Sequence, residues 1–165
     1  MMQREKEDMC FMSHENINIV YKDLINNYQI ILDYLGKNSN LFSFITRQQK
    51  PYSKIPPNCE HDHVLQGLAP YLVKKIVGVQ RWPGTITRDT HRVMCVYRSC
   101  KEARAYLKTQ LNLFAPLQYN LPEDICFYRQ DQPWFVTVSH EHMAFLSKPT
   151  KYDIEFLSSN SIRYI

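Results

Sequence analysis

Glycine is scarce in this chain, 4 residues in 165, and that scarcity excludes several chemistries at once. There is no glycine-rich loop to cradle a phosphate and no G-x-S-x-G elbow to present a serine nucleophile. Little is left of the material from which tight ligand-binding loops are made. Long apolar runs are missing as well. The opening "MMQREKEDMCFM" alternates charge and lacks the apolar core of roughly 7–15 residues that a secretory signal needs. No stretch approaches the roughly 18 apolar residues required to span a bilayer. A cytoplasmic location with no membrane association is therefore the expectation. Cysteines are present but without a framework: Cys10, Cys59, Cys95, Cys100 and Cys126 are odd in number and share no disulfide or zinc spacing. Reduced thiols are expected, with Cys95 and Cys126 inside apolar runs as small buried hydrophobes.

What remains is an ordinary globular composition with an aromatic emphasis. Hydrophobic residues make up 44% and charged residues 22%, with 11 tyrosines and 8 phenylalanines available for a packed core. The length suits one domain. Residues 1–165 are read as a single α+β domain, with residues 1–12 as a candidate disordered tail.

Periodicity predicts the elements. Ile17, Val20, Leu24, Tyr28, Ile31 and Leu35 recur at helical spacing, so a helix is expected from His14 to Leu35, stopped by Gly36. A second helix is expected from Asp62 or His63 to Ile76, interrupted at Pro70. "LFSFI" is apolar and short, and carries no assignment. "VGVQRW" has strand character and ends at Pro83-Gly84, a type II turn signal. Arg92–Arg98 reads as a strand, followed by a Ser99–Glu102 capping box and a helix to about Asn112. Strands are expected at Ile125–Arg129, Trp134–His140 and His142–Leu146. Thr150 and Asp153 cap a short last helix that carries Ile154 and Leu157. Alternation in "PWFVTVSH" suggests a half-buried strand. The architecture expected is α+β, an antiparallel sheet of four to five strands with helices packed on one face.

Two stretches carry candidate chemistry. "CEHDH" (Cys59–His63) and "SHEH" (Ser139–His142) each hold a His-x-His pair around a carboxylate. Were they to meet, His61, His63, His140 and His142 would offer a tetrahedral set for zinc, the basis of a metal-dependent hydrolase. Neither stretch matches a spaced metal signature, so separate surface histidines are the default and no cofactor is expected. The charge pattern speaks more clearly. The chain carries a net +4, but residues 74–112 alone carry +7. That block holds Arg81, Arg88, Arg92, Arg98, Lys101, Arg104 and Lys108 as candidate anion- or partner-binding residues. It suits an acidic protein face, including that of a second copy of this chain, in a non-enzymatic interaction or regulatory domain. Nucleic acid or another phosphate ligand is the alternative, with Trp82 and Tyr97 as stacking surface. No residue is assigned a catalytic role.

The run "LPEDICFYRQDQPWFVTVSHEHMAFL", with "WPGT" upstream and the helix "SCKEARAYL", resembles a group of small proteins of bacilli, some labelled stage III sporulation protein AH. The resemblance covers roughly residues 80–146. It implies a shared strand-rich fold in a bacterial cytosolic domain, with a sporulation setting, and transfers no catalytic residue. The N-terminal membrane anchor associated with that label is not expected here.

Overall fold

The computed structural model describes residues 16–47, 59–110, 112–115 and 122–165, with side chains described from His63 onward in the second of these. The candidate tail 1–12 and the side chain of His61 lie outside the described residues. "LFSFITR", left unassigned by its sequence, is the strand β2 (Leu41–Arg47) near the centre of the sheet. Its phenylalanines at alternate positions, Phe42 and Phe44, point to one side and are fully buried. An apolar run of this length fits a strand covered on both faces.

The remaining strands are β1 (Asn16–Asn18), β3 (Leu72–Val77), β4 (Arg81–Trp82), β5 (Thr85–Ile86), β6 (Arg92–Arg98), β7 (Glu123–Arg129), β8 (Gln132–Val138) and β9 (Met143–Ser147). The helices are α1 (Tyr21–Asn26), α2 (Tyr28–Lys37), α3 (Cys59–Leu68), α4 (Lys101–Lys108) and α5 (Lys151–Ser159). The fold is α+β as expected, but the sheet is larger. Seven strands pair antiparallel in the order β1-β9-β8-β7-β2-β6-β3, and β4 and β5 form a separate hairpin. The additional strands come from segments that mimic helices. Ile17 and Val20 fit a helical spacing, yet Ile17 and Ile19 are buried while Asn16 and Asn18 are exposed, which is strand alternation. Past Pro70 the chain makes one 3-10 turn (Ala69–Tyr71) and then enters β3 rather than continuing as helix. Proline lacks the N–H an α-helix would use, and the β-branched Val73, Ile76 and Val77 favour extension.

Helices cover one face. Leu32, Leu35, Leu107 and Leu157 join Phe42, Phe44, Tyr97, Phe127 and Phe135 in one continuous core, each large side chain contributing about 1.5–3 kcal/mol by leaving water. The other face is covered in part by the β4–β5 hairpin, where Trp82 packs with Ile45 and Val79. Its turn sits so close that a Cβ at Gly84 (φ +85°) would fall 2.8 Å from Val138 Cγ2. That is why Trp134 to Val138 are all buried, where alternation predicted a half-exposed strand. The edge at β1 is closed by the C-terminus: Asn18 and Ile165 exchange backbone hydrogen bonds of 2.9 and 2.8 Å. Arg163 fastens it by a two-toothed grip on Asp23. The other edge is β3.

Candidate interaction surface

On β6, Val93, Cys95 and Tyr97 belong to the helix-side core, so Arg92, Met94, Val96 and Arg98 face the opposite side. Arg92 and Arg98 occupy the two ends of this seven-residue strand, about 20 Å apart at 3.3–3.4 Å per residue. Arg92 is committed. It pairs with Glu123 and, at 3.0 Å, with Asp89. Arg104 is committed on the helix side, where its stem crosses Gly36 and its guanidinium donates to the Gly36 carbonyl at 3.2 Å. Lys108 lies 3.6 Å from Asp33, a carboxylate it shares with Lys37. Arg81, Arg88, Arg98 and Lys101 are exposed and ion-pair with no described residue. The basic block is therefore not one strip. Arg98 and Lys101 lie at and just past one end of β6, Arg81 and Arg88 precede the other, and Arg104 lies across the sheet from Arg92.

Between the two groups runs β3, "LVKKIV". Five of its six residues are exposed, and Ile76 is half-buried against Met94. Leu72, Val73 and Val77 are 42%, 59% and 58% exposed, which is unusual for large apolar side chains in a strand. Lys74 and Lys75 sit between them. The hydrogen-bond phase follows from Gly78, whose N–H donates to the Arg92 carbonyl at 2.9 Å. In an antiparallel ladder bonded pairs alternate. With Ile76 opposite Met94 and Lys74 opposite Val96, those residues bond to β6. Lys75 and Val77, opposite Cys95 and Val93, turn their N–H and C=O groups away from the sheet. Sequence reading missed this edge because "LVKKIV" continues the helical spacing of the residues before it. Pro70 followed by β-branched residues was the signal that could have found it.

Among the described residues, His63, His140 and His142 do not assemble. His63 lies exposed on α3 with its ring 6.5 Å from that of Tyr106. His140 and Glu141 belong to a 3-10 turn (Ser139–Glu141) and approach to 3.6 Å. His142 takes a left-handed conformation (φ 51°) beside Tyr21, ring to ring 5.6 Å. The i, i+2 strand geometry needed for chelation is absent there, and β8, β7, β2 and β6 lie between β9 and the β3 edge that α3 leads into. Among the described residues no group of three or more His, Cys, Asp or Glu side chains is placed to hold a metal.

Ser139 instead ties a corner together. Its Oγ accepts from the Asp124 N–H at 2.9 Å, and its own N–H donates to Asp124 Oδ1 at 2.7 Å. Asp124 Oδ2 accepts from the Trp82 indole at 2.9 Å, linking the hairpin to the sheet. Asp124 is buried in a left-handed conformation (φ 53°). Burial pushes the Tyr21 phenol above its ordinary value, and the Asp124 charge adds to that push against the opposing Ser139 hydroxyl. Both Asp124 oxygens accept from N–H donors, so this corner ties β7, the end of β8 and the hairpin together.

No family model, curated protein or solved structure matches the chain. No helix among the described residues is long and apolar enough to cross a membrane.

Proposed function

We propose that this protein is a non-enzymatic interaction domain that captures an acidic protein segment along β3. One observation carries the reading: an exposed six-residue edge strand with three exposed apolar side chains and two lysines, flanked by four cations that pair with no described residue. Apolar area contributes affinity, and the cations speed encounter and select against basic partners. A sporulation setting in a bacterial cell is the biological context that the resemblance over residues 80–146 suggests.

Nucleic acid binding makes a different demand. It needs cations in a continuous track, and the block divides around β6 with Arg92, Arg104 and Lys108 already engaged. The test is fluorescence anisotropy with two labelled probes, a glutamate-rich peptide and a short DNA duplex, at 50 and 200 mM salt. The peptide is expected to bind wild type and to lose at least tenfold affinity with Lys74→Glu/Lys75→Glu. Tighter binding of the duplex, insensitive to that pair, would reverse the assignment.

A further inference from the structure

Resting on that reading, we infer that the bound segment adds to the sheet as a further strand beside β3. It carries two adjacent carboxylates flanked on both sides by apolar, β-forming residues. The backbone argument comes first. Lys75 and Val77 direct their N–H and C=O groups outward, and no described residue bonds to them. Such an edge is a template for an extended chain, whose affinity comes from main-chain bonds and whose specificity comes from side chains on alternate sides.

The side-chain pattern then defines the occupant. Lys74 and Lys75 are consecutive, so they stand on opposite faces of the sheet, Lys74 opposite Val96 and Lys75 opposite Cys95. One carboxylate opposite each lysine requires two consecutive acidic residues in the incoming strand. Val77 beyond the lysines, with half-buried Ile76, and Val73 and Leu72 before them, across a register shift between Leu72 and Lys74, call for apolar residues at both ends, to cover the exposed surface. The resulting order, two apolar, two acidic, two apolar, reads the same in both directions. It therefore fits β3 in either orientation.

The same lysines select against a second copy. Antiparallel self-pairing centred on the outward-facing Lys75 would place two Lys75 ammonium groups directly opposite each other, an unfavourable cross-strand pair. Lysine on an edge strand is a recognised guard against uninvited pairing. Here the guard disfavours that register with the chain's own strand and admits an acidic one.

The experiment uses the full chain and three synthetic octapeptides. The probe is Thr-Val-Ile-Glu-Glu-Val-Val-Thr with blocked ends. The first control replaces both glutamates by lysine, and the second carries N-methyl groups on alternate backbone amides. Residue-resolved hydrogen exchange is read at Lys75 and Val77. The probe is expected to slow both amides at least tenfold at saturation, while either control fails to do so. Val77→Pro, which removes one outward donor while sparing the ladder to β6, is expected to weaken the probe at least tenfold. Binding that survives N-methylation and leaves both amides exchanging freely would overturn strand addition while sparing the acidic-partner reading. Failure of the probe and of the glutamate-rich peptide alike would remove both. Slow exchange of Lys75 and Val77 in the free protein, or a dimeric native mass, would show the edge already occupied and overturn the inference as well.

Discussion

Asp153 shows how single residues hold this molecule together. It is fully buried on α5 and accepts from Arg129 at 3.0 and 3.1 Å, from the Tyr34 hydroxyl at 2.7 Å and from the Thr150 N–H at 2.7 Å. Arg129 also lies 3.5 Å over the Trp134 ring. Burial alone would raise the Asp153 carboxyl. The hydrogen bonds from Arg129, Tyr34 and Thr150 outweigh it and hold the group below its ordinary value. A depressed carboxylate stabilises the fold above its unfolded pKa of about 3.9 and loses that contribution as pH falls through the folded value. Asp153→Asn is expected to cost about 3 kcal/mol, the low end for breaking a buried pair, because Arg129 keeps 28% exposure and can reach water. Urea unfolding at pH 7 measures the loss, and the difference between variant and wild type should persist to about pH 4 and shrink only below it, as pH falls through the lowered folded value. The Thr150–Asp153 cap was legible in sequence, since a capping box depends on local spacing. The bond from Trp82 to Asp124 was not, for it joins residues 42 apart. Trp82→Phe keeps the ring and removes the indole donor, leaving a buried carboxylate oxygen short of one bond. A loss of about 1–3 kcal/mol in chemical denaturation is expected. No loss would mean water takes the donor's place.

At the level of elements, the two errors of sequence reading share a cause. Both β1 and β3 place apolar residues at spacings that a helix also satisfies, and only tertiary pairing decides between the two. Strands β6 to β9 were legible because each carries β-formers bounded by turn residues, and Pro83-Gly84 marked its hairpin correctly. The expected Ser99 cap failed for another reason. Cys100 is the residue before α4, and the Ser99 hydroxyl is spent on the Gly36 carbonyl at 2.9 Å. The hairpin depends on a turn without a side chain. Gly84→Ala combines a strained positive φ with a Cβ pressed against Val138, and should destabilise by more than about 1 kcal/mol. Thermal unfolding tests this, and an unchanged melting temperature would mean the hairpin can lift away at no cost. β3 makes the opposite prediction. Val73→Thr and Val77→Thr alter exposed side chains while keeping β-branching, so stability should stay within about 0.5 kcal/mol. Affinity for the acidic octapeptide should nevertheless fall at least fivefold in anisotropy. A loss of stability with no loss of binding would make β3 a structural strand only.

For the whole molecule, the two ends of the sheet are treated differently. The β1 end is sealed by the C-terminus and the Asp23–Arg163 pair, while the β3 end presents exposed apolar residues and lysines to solvent. The excess positive charge of residues 74–112 was visible in the sequence. Its division around β6 was not, because strand parity and internal pairing emerge only from the fold. The described histidines His63, His140 and His142 share no common centre. The most direct test of acidic-segment capture at β3 is a residue-resolved NMR titration of the acidic octapeptide into the full chain. Chemical-shift changes concentrated on residues 72–78 and on Arg81 and Arg98, lost with Lys74→Glu/Lys75→Glu, are the expected result. Changes centred on the α4 face at Lys101–Lys108, or none at all, would contradict it.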